Sequence, residues 1–321
     1  MVKVNTVLGP ISSDQLGITL IHEHLWWGYT SWFTDTVAPP LNRQEAIEEC
    51  LKDLKQAKEG GVKTVVDATL ADNGLDINFS KEVAEKSGMN IIAVTGMYTE
   101  EASPSYWKVR DLYGGNTQDE LYEQFMKDVT QGIQRTNIKA GIIKVATGYG
   151  KISPFEEKVL KAAARAQKAT GVPIITHTEN GTMGPEQADL LISEGADPKH
   201  IMIGHIGNAD LKYQTSILEK GVYIAFDRLG IEQIFPDALT KACIIALVSM
   251  GYANRIFMSH DHVSVNLGKS PPRSIIEQIM PKWNLGNVFN DIIPDLKKAG
   301  ITDKQVHMIM EDNPRRLFTG D

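Results

Sequence analysis

The chain of 321 residues has very little cysteine: Cys50 and Cys243, far apart and in apolar helical contexts. Two such residues build no disulfide framework and fit free buried thiols in a reducing compartment. Long hydrophobic runs are also missing. No stretch approaches the roughly 18 uninterrupted apolar residues of a membrane span, and Met1 to Pro10 shows no charged segment leading into an apolar one, so no secretory signal is read there. There is no excess of positive charge: 33 Lys and Arg stand against 40 Asp and Glu, a formal net charge of −7. Nucleic acid and anionic membrane surfaces need a basic footprint and are excluded as main partners. Low-complexity stretches, Pro/Ser-rich linkers and shifts in composition are absent too. The expectation is a cytoplasmic protein with a single domain over residues 1–321.

What is present is a regular alternation. Short apolar runs rich in Val and Ile occur at 18–22, 64–68, 91–95, 141–145, 173–177, 201–205, 222–226 and 255–259. Their length and composition suit parallel strands buried on both faces. Amphipathic stretches lie between them, at 43–59, 118–136, 154–170, 184–194 and 236–250, with two more near 288–299 and 302–311. Eight strand–helix units in about 320 residues predict an α/β fold, a closed (β/α)₈ TIM barrel. No Gly-x-Gly-x-x-Gly follows the first run, which speaks against a dinucleotide fold.

The histidines gather at strand ends. His22 and His24 end the first run, His177 the fifth and His205 the sixth; Asp261, between His260 and His262, follows the eighth. The C-terminal ends of barrel strands converge on one mouth, where active sites form. Residues i and i+2 of a strand share a face, so both imidazoles of His22-Glu23-His24 can reach one metal. Glu23 between them points away and is expected to support rather than react. Histidine and carboxylate ligands without cysteine suit Zn²⁺, Mn²⁺, Co²⁺ or Fe²⁺. Lys144, read as the end of the fourth run, should enter the same mouth. An ammonium about 4 Å from a divalent ion is repelled by on the order of 8 kcal/mol at an effective dielectric of 20. Such a lysine must lose its proton or become an anion.

Together these motifs resemble the phosphotriesterase family of the amidohydrolase superfamily, over nearly the whole chain. The resemblance rests on His22-Glu23-His24 after Gly17–Ile21, Lys144 in Gly-Ile-Ile-Lys, His177 in Thr-His-Thr, His205 in Ile-Gly-His, Asp261 in Ser-His-Asp, and the tail from Asp312 to Arg316. It implies two divalent metal ions, zinc first, with cobalt, manganese or iron as alternatives. One would be held by His22, His24 and Asp261, the other by His177 and His205. Lys144, carbamylated by carbon dioxide, would bridge them with a hydroxide, and Asp261 would accept the proton as hydroxide attacks. Relatives of this kind are often homodimers.

The resemblance implies a small lactone or ester as substrate. Tyr98 in Thr-Gly-Met-Tyr and Arg228 in Asp-Arg-x-Gly are similar to residues of the family's lactonases. The expectation is therefore hydrolysis of N-acyl-homoserine-type or related lactones, with promiscuous phosphotriesterase activity. The alternative is an organophosphate phosphotriesterase or another carboxyl-ester or amide hydrolase. Asn208 stands where many relatives carry Asp, which interrupts a proton relay from Asp261. Trp26, Trp27, Tyr29, Trp32 and Phe33 after the first run, with Tyr106 and Trp107 after the third, are candidates for a pocket or a dimer contact. The segment 263–283 reads as a lid.

Overall fold

The computed structural model describes residues 2–321. A hairpin opens the chain, β1 (Lys3–Thr6) paired antiparallel with β2 (Gly9–Ser12). Eight strands follow: β3 (Thr19–Trp27), β4 (Thr64–Asp67), β5 (Asn90–Gly96), β6 (Ile142–Thr147), β7 (Ile174–Thr178), β8 (Ile201–Ile203), β9 (Tyr223–Phe226) and β10 (Ile256–Met258). Each pairs in parallel with the next. The sheet curls until the end of β10 meets β3. There the Asp261 amide donates to the His22 carbonyl at 3.1 Å, and the His22 amide donates to Ser259 Oγ at 3.2 Å. The fold is the expected α/β TIM barrel. A short β11 (Val263–Asn266) pairs in parallel with β3 beyond this seam.

Strand alternation decides what faces the barrel axis. Ile142, Ile175, Met202, Tyr223, Ala225 and Phe257 form one inner apolar cluster, which Val4 of the hairpin and Leu317 and Phe318 of the last helix close from below. Outward residues such as Ile143, Ile174, Ile203 and Ile224 pack against the helices in a second cluster. Counting by two from the inner residues places Lys144, His177, Asp227 and Ser259 on the axis above them. In β3 that count fails. Leu20 faces the helices and Ile21 the axis, so simple alternation would turn His22 outward. The register against β4 shifts between Leu20 and Glu23, and this bulge restores both imidazoles to the interior.

Several features differ from the sequence reading. Lys144 is the third residue of a six-residue strand, not its last. Trp26 and Trp27 still belong to β3, and Trp26 is buried, stacked on Phe79 with ring centroids 3.8 Å apart. It is therefore a core residue and not part of a dimer contact. The helix expected over 118–136 stops at Thr130, just before Gly132 at φ 148°. The hairpin, β11 and the helices Ile77–Ser87 and Leu211–Leu218 went unread. The three strands have four residues each, too few for a usable periodicity.

Gly96 ends β5 opposite Lys144 with φ 139°, and a Cβ there would lie 1.7 Å from the Lys144 carbonyl oxygen. Gly96→Ala is expected to lower stability by about 2–4 kcal/mol in urea unfolding and to displace Lys144. Wild-type stability in this variant would contradict the close approach.

Candidate metal centre

The mouth is built from four imidazoles whose orientation is set by the atoms behind them. His22 Nδ1 lies 2.9 Å from Asp227 Oδ2, and His205 Nδ1 lies 3.0 Å from Asp227 Oδ1. A carboxylate only accepts, so both rings carry hydrogen on Nδ1 and present a bare Nε2. His24 reaches the same state differently. Its Nδ1 is 2.8 Å from Thr69 Oγ1, whose single proton goes to the Trp26 carbonyl at 2.8 Å. Thr69 must therefore accept from His24 Nδ1. The three Nε2 atoms converge on Asp261: His24 at 3.2 Å and His22 at 3.5 Å from Oδ1, His205 at 3.8 Å from Oδ2. Donor atoms of His22, His205 and Asp261 lie within 4.8 Å of one another. Lys144 Nζ is 2.9 Å from His22 Nε2.

His177 stands slightly apart. Its ring meets His205 edge-on at 4.6 Å, but its Nε2 is 3.0 Å from Glu179 Oε2 and 3.5 Å from the Tyr98 hydroxyl. Arg228 does not reach free into the mouth: its Nε donates to Asp261 Oδ2 at 2.9 Å. Asn208 lies outside the cluster, donating to the Asn180 carbonyl at 3.3 Å.

Burial controls the protonation states. It pushes His24 down to about 3, helped by Lys144, and His177 down to about 4 against the pull of Glu179. Burial and then Arg228 hold His205 well below its ordinary value. These imidazoles are neutral, the form that binds metal. Burial also lowers the Lys144 ammonium to about 8, although Asp261 and Asp227 oppose it. For Asp261 burial pushes upward, but the positive charge gathered around it, Arg228 included, keeps the carboxyl well below the usual range. Burial, followed by Asp261, raises the Tyr98 phenol, which stays protonated.

Asp261 and His205 both sit in the left-handed region, at φ 51° and 59°. Non-glycine residues hold such a conformation only where the surroundings insist. For Asp261 the constraint is Glu23. Its Oε1 accepts from Ser259 Oγ at 2.7 Å, the His260 amide at 3.0 Å and His260 Nδ1 at 2.8 Å; its Oε2 accepts from the His262 amide at 2.8 Å. One carboxylate thus ties down the turn that carries Asp261. Sequence reasoning gave Glu23 a supporting role without identifying this one, and it missed Asp227, Thr69 and Glu179. Asp227 was accessible to it, because Tyr223 and Ala225 face the axis and a count of two continues to Asp227.

The sequence matches the phosphotriesterase family over residues 2–318. It is 36% identical over 316 residues to the aryldialkylphosphatase of Saccharolobus solfataricus, covering 96% of this chain and 97% of that protein. The organophosphorus hydrolase from Deinococcus radiodurans superposes with a TM-score of 0.94 at 40% identity, covering 98% of this chain and 96% of that one. A structure described as organophosphate hydrolysis engineered from a weak promiscuous lactonase template gives a TM-score of 0.94 at 39% identity, covering 98% and 99%.

At the rim, Asp72 accepts from the Tyr98 amide at 3.1 Å, and burial raises its carboxyl to about 6. An acid raised in the folded state and near 3.8 when unfolded loses stability for the fold as pH climbs from about 4 to 6. Asp72→Asn is therefore expected to gain at most about 3 kcal/mol at pH 7.5 and little at pH 4.5, measured by urea unfolding. Equal gains at both pH values would contradict the buried, raised carboxyl.

Proposed function

The chain belongs to the phosphotriesterase family, and from that membership we propose that it is a metal-dependent hydrolase opening N-acyl-homoserine-type or related lactones, with weaker activity on phosphotriesters. The observation that carries this reading is the convergence of three bare Nε2 atoms on one ionised Asp261, beneath a protonated Tyr98. That donor set fits divalent metal: the nitrogen lone pairs are fixed from behind by Asp227 and Thr69, as ligating histidines require. His22, His24 and Asp261 would hold one ion; His177 and His205 would hold the other. Zinc suits the set best, with cobalt, manganese or iron as substitutes. Lys144, lowered to about 8, has enough neutral amine near neutral pH to add to carbon dioxide and lose a proton. The resulting carbamate would be the bridge between the two sites.

When bound, the ions supply hydroxide near neutral pH and polarise the bond under attack. The side chains do the rest. Asp261 receives the proton. Arg228 fixes the carboxylate of Asp261 through Nε. Tyr98 donates its hydrogen to an oxygen of the substrate, since its proton is held firmly. Phe235 lies under the Arg228 guanidinium, 5.2 Å from ring centroid to Cζ; next to it the exposed Ile234 and the exposed Ile279, whose segments are joined where Gln233 Nε2 donates to the Ile279 carbonyl, would offer an apolar flank for an acyl chain. Segment 263–283, with its helix Arg273–Ile279, would form one side of that flank. A phosphotriesterase proper is the second reading, favoured by the name of the Saccharolobus relative.

The whole chain, 1–321, is taken as one catalytic domain, because its two ends meet under the barrel floor. A homodimer would use the exposed Tyr29, Phe33 and Val37 together with Tyr106, Leu112 and Tyr113. Their loops are joined where Thr30 Oγ1 donates to the Ala102 carbonyl. The free thiols of Cys50 and Cys243 support a cytoplasmic setting.

A panel of lactones, phosphotriesters and aryl esters with Zn²⁺, Mn²⁺ or Co²⁺ added tests the substrate class. Lactones are expected to lead in kcat/KM, and a large preference for paraoxon would sink the reading. Tyr98→Phe should reduce lactone hydrolysis more than phosphotriester hydrolysis. Lys144→Ala should lose activity by about 100-fold or more and regain part of it with short carboxylic acids. Full activity of Lys144→Ala without additives would rule out the bridge.

A further inference from the structure

On the closed end of the barrel, away from the imidazoles, a cavity of about 630 Å³ opens between the 252–255 turn and the helical tail. That volume is within the range of small-molecule sites. Its wall holds three cations, Arg255, Lys304 and Arg316, against one acidic residue, the terminal Asp321. Among the described residues none of these three cations has a carboxylate within 4.0 Å. The nearby acids are engaged elsewhere: Asp303 with Lys297, Glu311 with His307 at 3.4 Å, and Asp321 with Arg315 at 3.5 Å.

Arg255 is the most constrained of the three. Its guanidinium lies over the ring of Tyr223, 4.9 Å from the centroid, and its Nη1 is enclosed with no hydrogen-bond acceptor. Tyr223 is only 1% exposed and lies close enough to Arg255 and Arg316 to feel the charge of both. A chain of net charge −7 thus gathers uncompensated positive charge around one concavity, and nothing in the hydrolytic reading uses it. Guanidinium groups match the oxygens of a phosphoryl group, with two parallel hydrogen bonds each. Thr302 and Gln305 add polar groups to the wall, and Val248 and Met308 add apolar surface for the body of a ligand.

We propose that this cavity is a second binding site, for a small molecule bearing a phosphate monoester. Arg255 and Arg316 hold the phosphoryl group and Lys304 supplies further charge. The site is independent of the metal-ligand set, and its occupancy does not depend on the substrate class proposed above.

Titration calorimetry of the holoenzyme with ribose 5-phosphate, at ionic strength held constant with NaCl, tests it. Phosphates also bind metal centres, so three variants separate the two locations. Arg316→Met is expected to weaken binding about ten-fold or more, Arg255→Met combined with Arg316→Met to abolish it, and His22→Ala to leave it in place. Binding lost in His22→Ala but kept in the arginine variants would assign the phosphate to the mouth and overturn the proposal. So would a heat no larger than that of matched NaCl. If Arg255→Met fails to fold, Arg316→Met and Lys304→Met carry the test, each weakening binding with the near-UV circular dichroism unchanged. Unaltered affinity in both would again overturn it.

Discussion

Asp227 stands fully buried between two imidazoles, its Oδ2 2.9 Å from His22 Nδ1 and its Oδ1 3.0 Å from His205 Nδ1. The His205 amide donates to the same Oδ1 at 2.8 Å. A carboxylate taken out of water is costly unless such charge-assisted hydrogen bonds replace its hydration. Here the replacement has a geometric consequence. Each ring can satisfy Asp227 only by placing hydrogen on Nδ1, which strips Nε2 and aims it at the axis. His22 from β3 and His205 from beyond β8 are thereby locked in tautomer and direction by one residue just past the end of β9. The donor set is preorganised before any ligand arrives.

A second buried carboxylate works from the other side of the barrel wall. Glu23 lies between His22 and His24 in sequence but faces outward, where it gathers four donors from residues 259 to 262. Those bonds hold Asp261 at φ 51°, a conformation its neighbours must enforce. The bulge in β3 makes both arrangements possible. Without the extra residue, His22 and Glu23 would exchange faces, and Asp227 and the 259–262 turn would each lose their partner. Seam closure, metal-ligand direction and the position of Asp261 are thus one problem with one solution.

The sequence makes the barrel legible because eight β-rich runs are interleaved with amphipathic stretches, and each run overlaps a strand. It makes the histidines legible because three of the apolar runs end on His22, His177 and His205, although β3 continues past His22 and His24 to Trp27. The phase of β3 is hidden, since a bulge depends on pairing with β4 and leaves no mark in a pattern of apolar residues. Lys144 shows the same limit in milder form: its run continues to Thr147, so the residue is interior to the strand although its direction is as expected. Aromatic residues mislead for another reason. Trp26 and Tyr29 are three residues apart in one cluster, yet Trp26 stacks on Phe79 while Tyr29 is 72% exposed. Only the end of β3 at Trp27 divides them.

Charge connects the mouth to its chemistry. Two divalent ions with one hydroxide and Asp261 would leave an excess of about two positive charges. Asp227 and Arg228 both lie in this region, but they carry opposite charges and cancel. The balance therefore falls on Lys144. As an ammonium it would raise the excess to about three; as a carbamate it would reduce it to about one. The protein already disfavours the ammonium before any metal is considered, because burial lowers it to about 8 despite the pull of Asp261 and Asp227. The charge of bound metal would act in the same direction as burial. A lysine on the axis of a barrel, 2.9 Å from a bare imidazole nitrogen, thus has its ammonium disfavoured by burial, and bound metal would add to that. On the proposed reading a basic side chain could stand among metal ligands because it would not remain a cation.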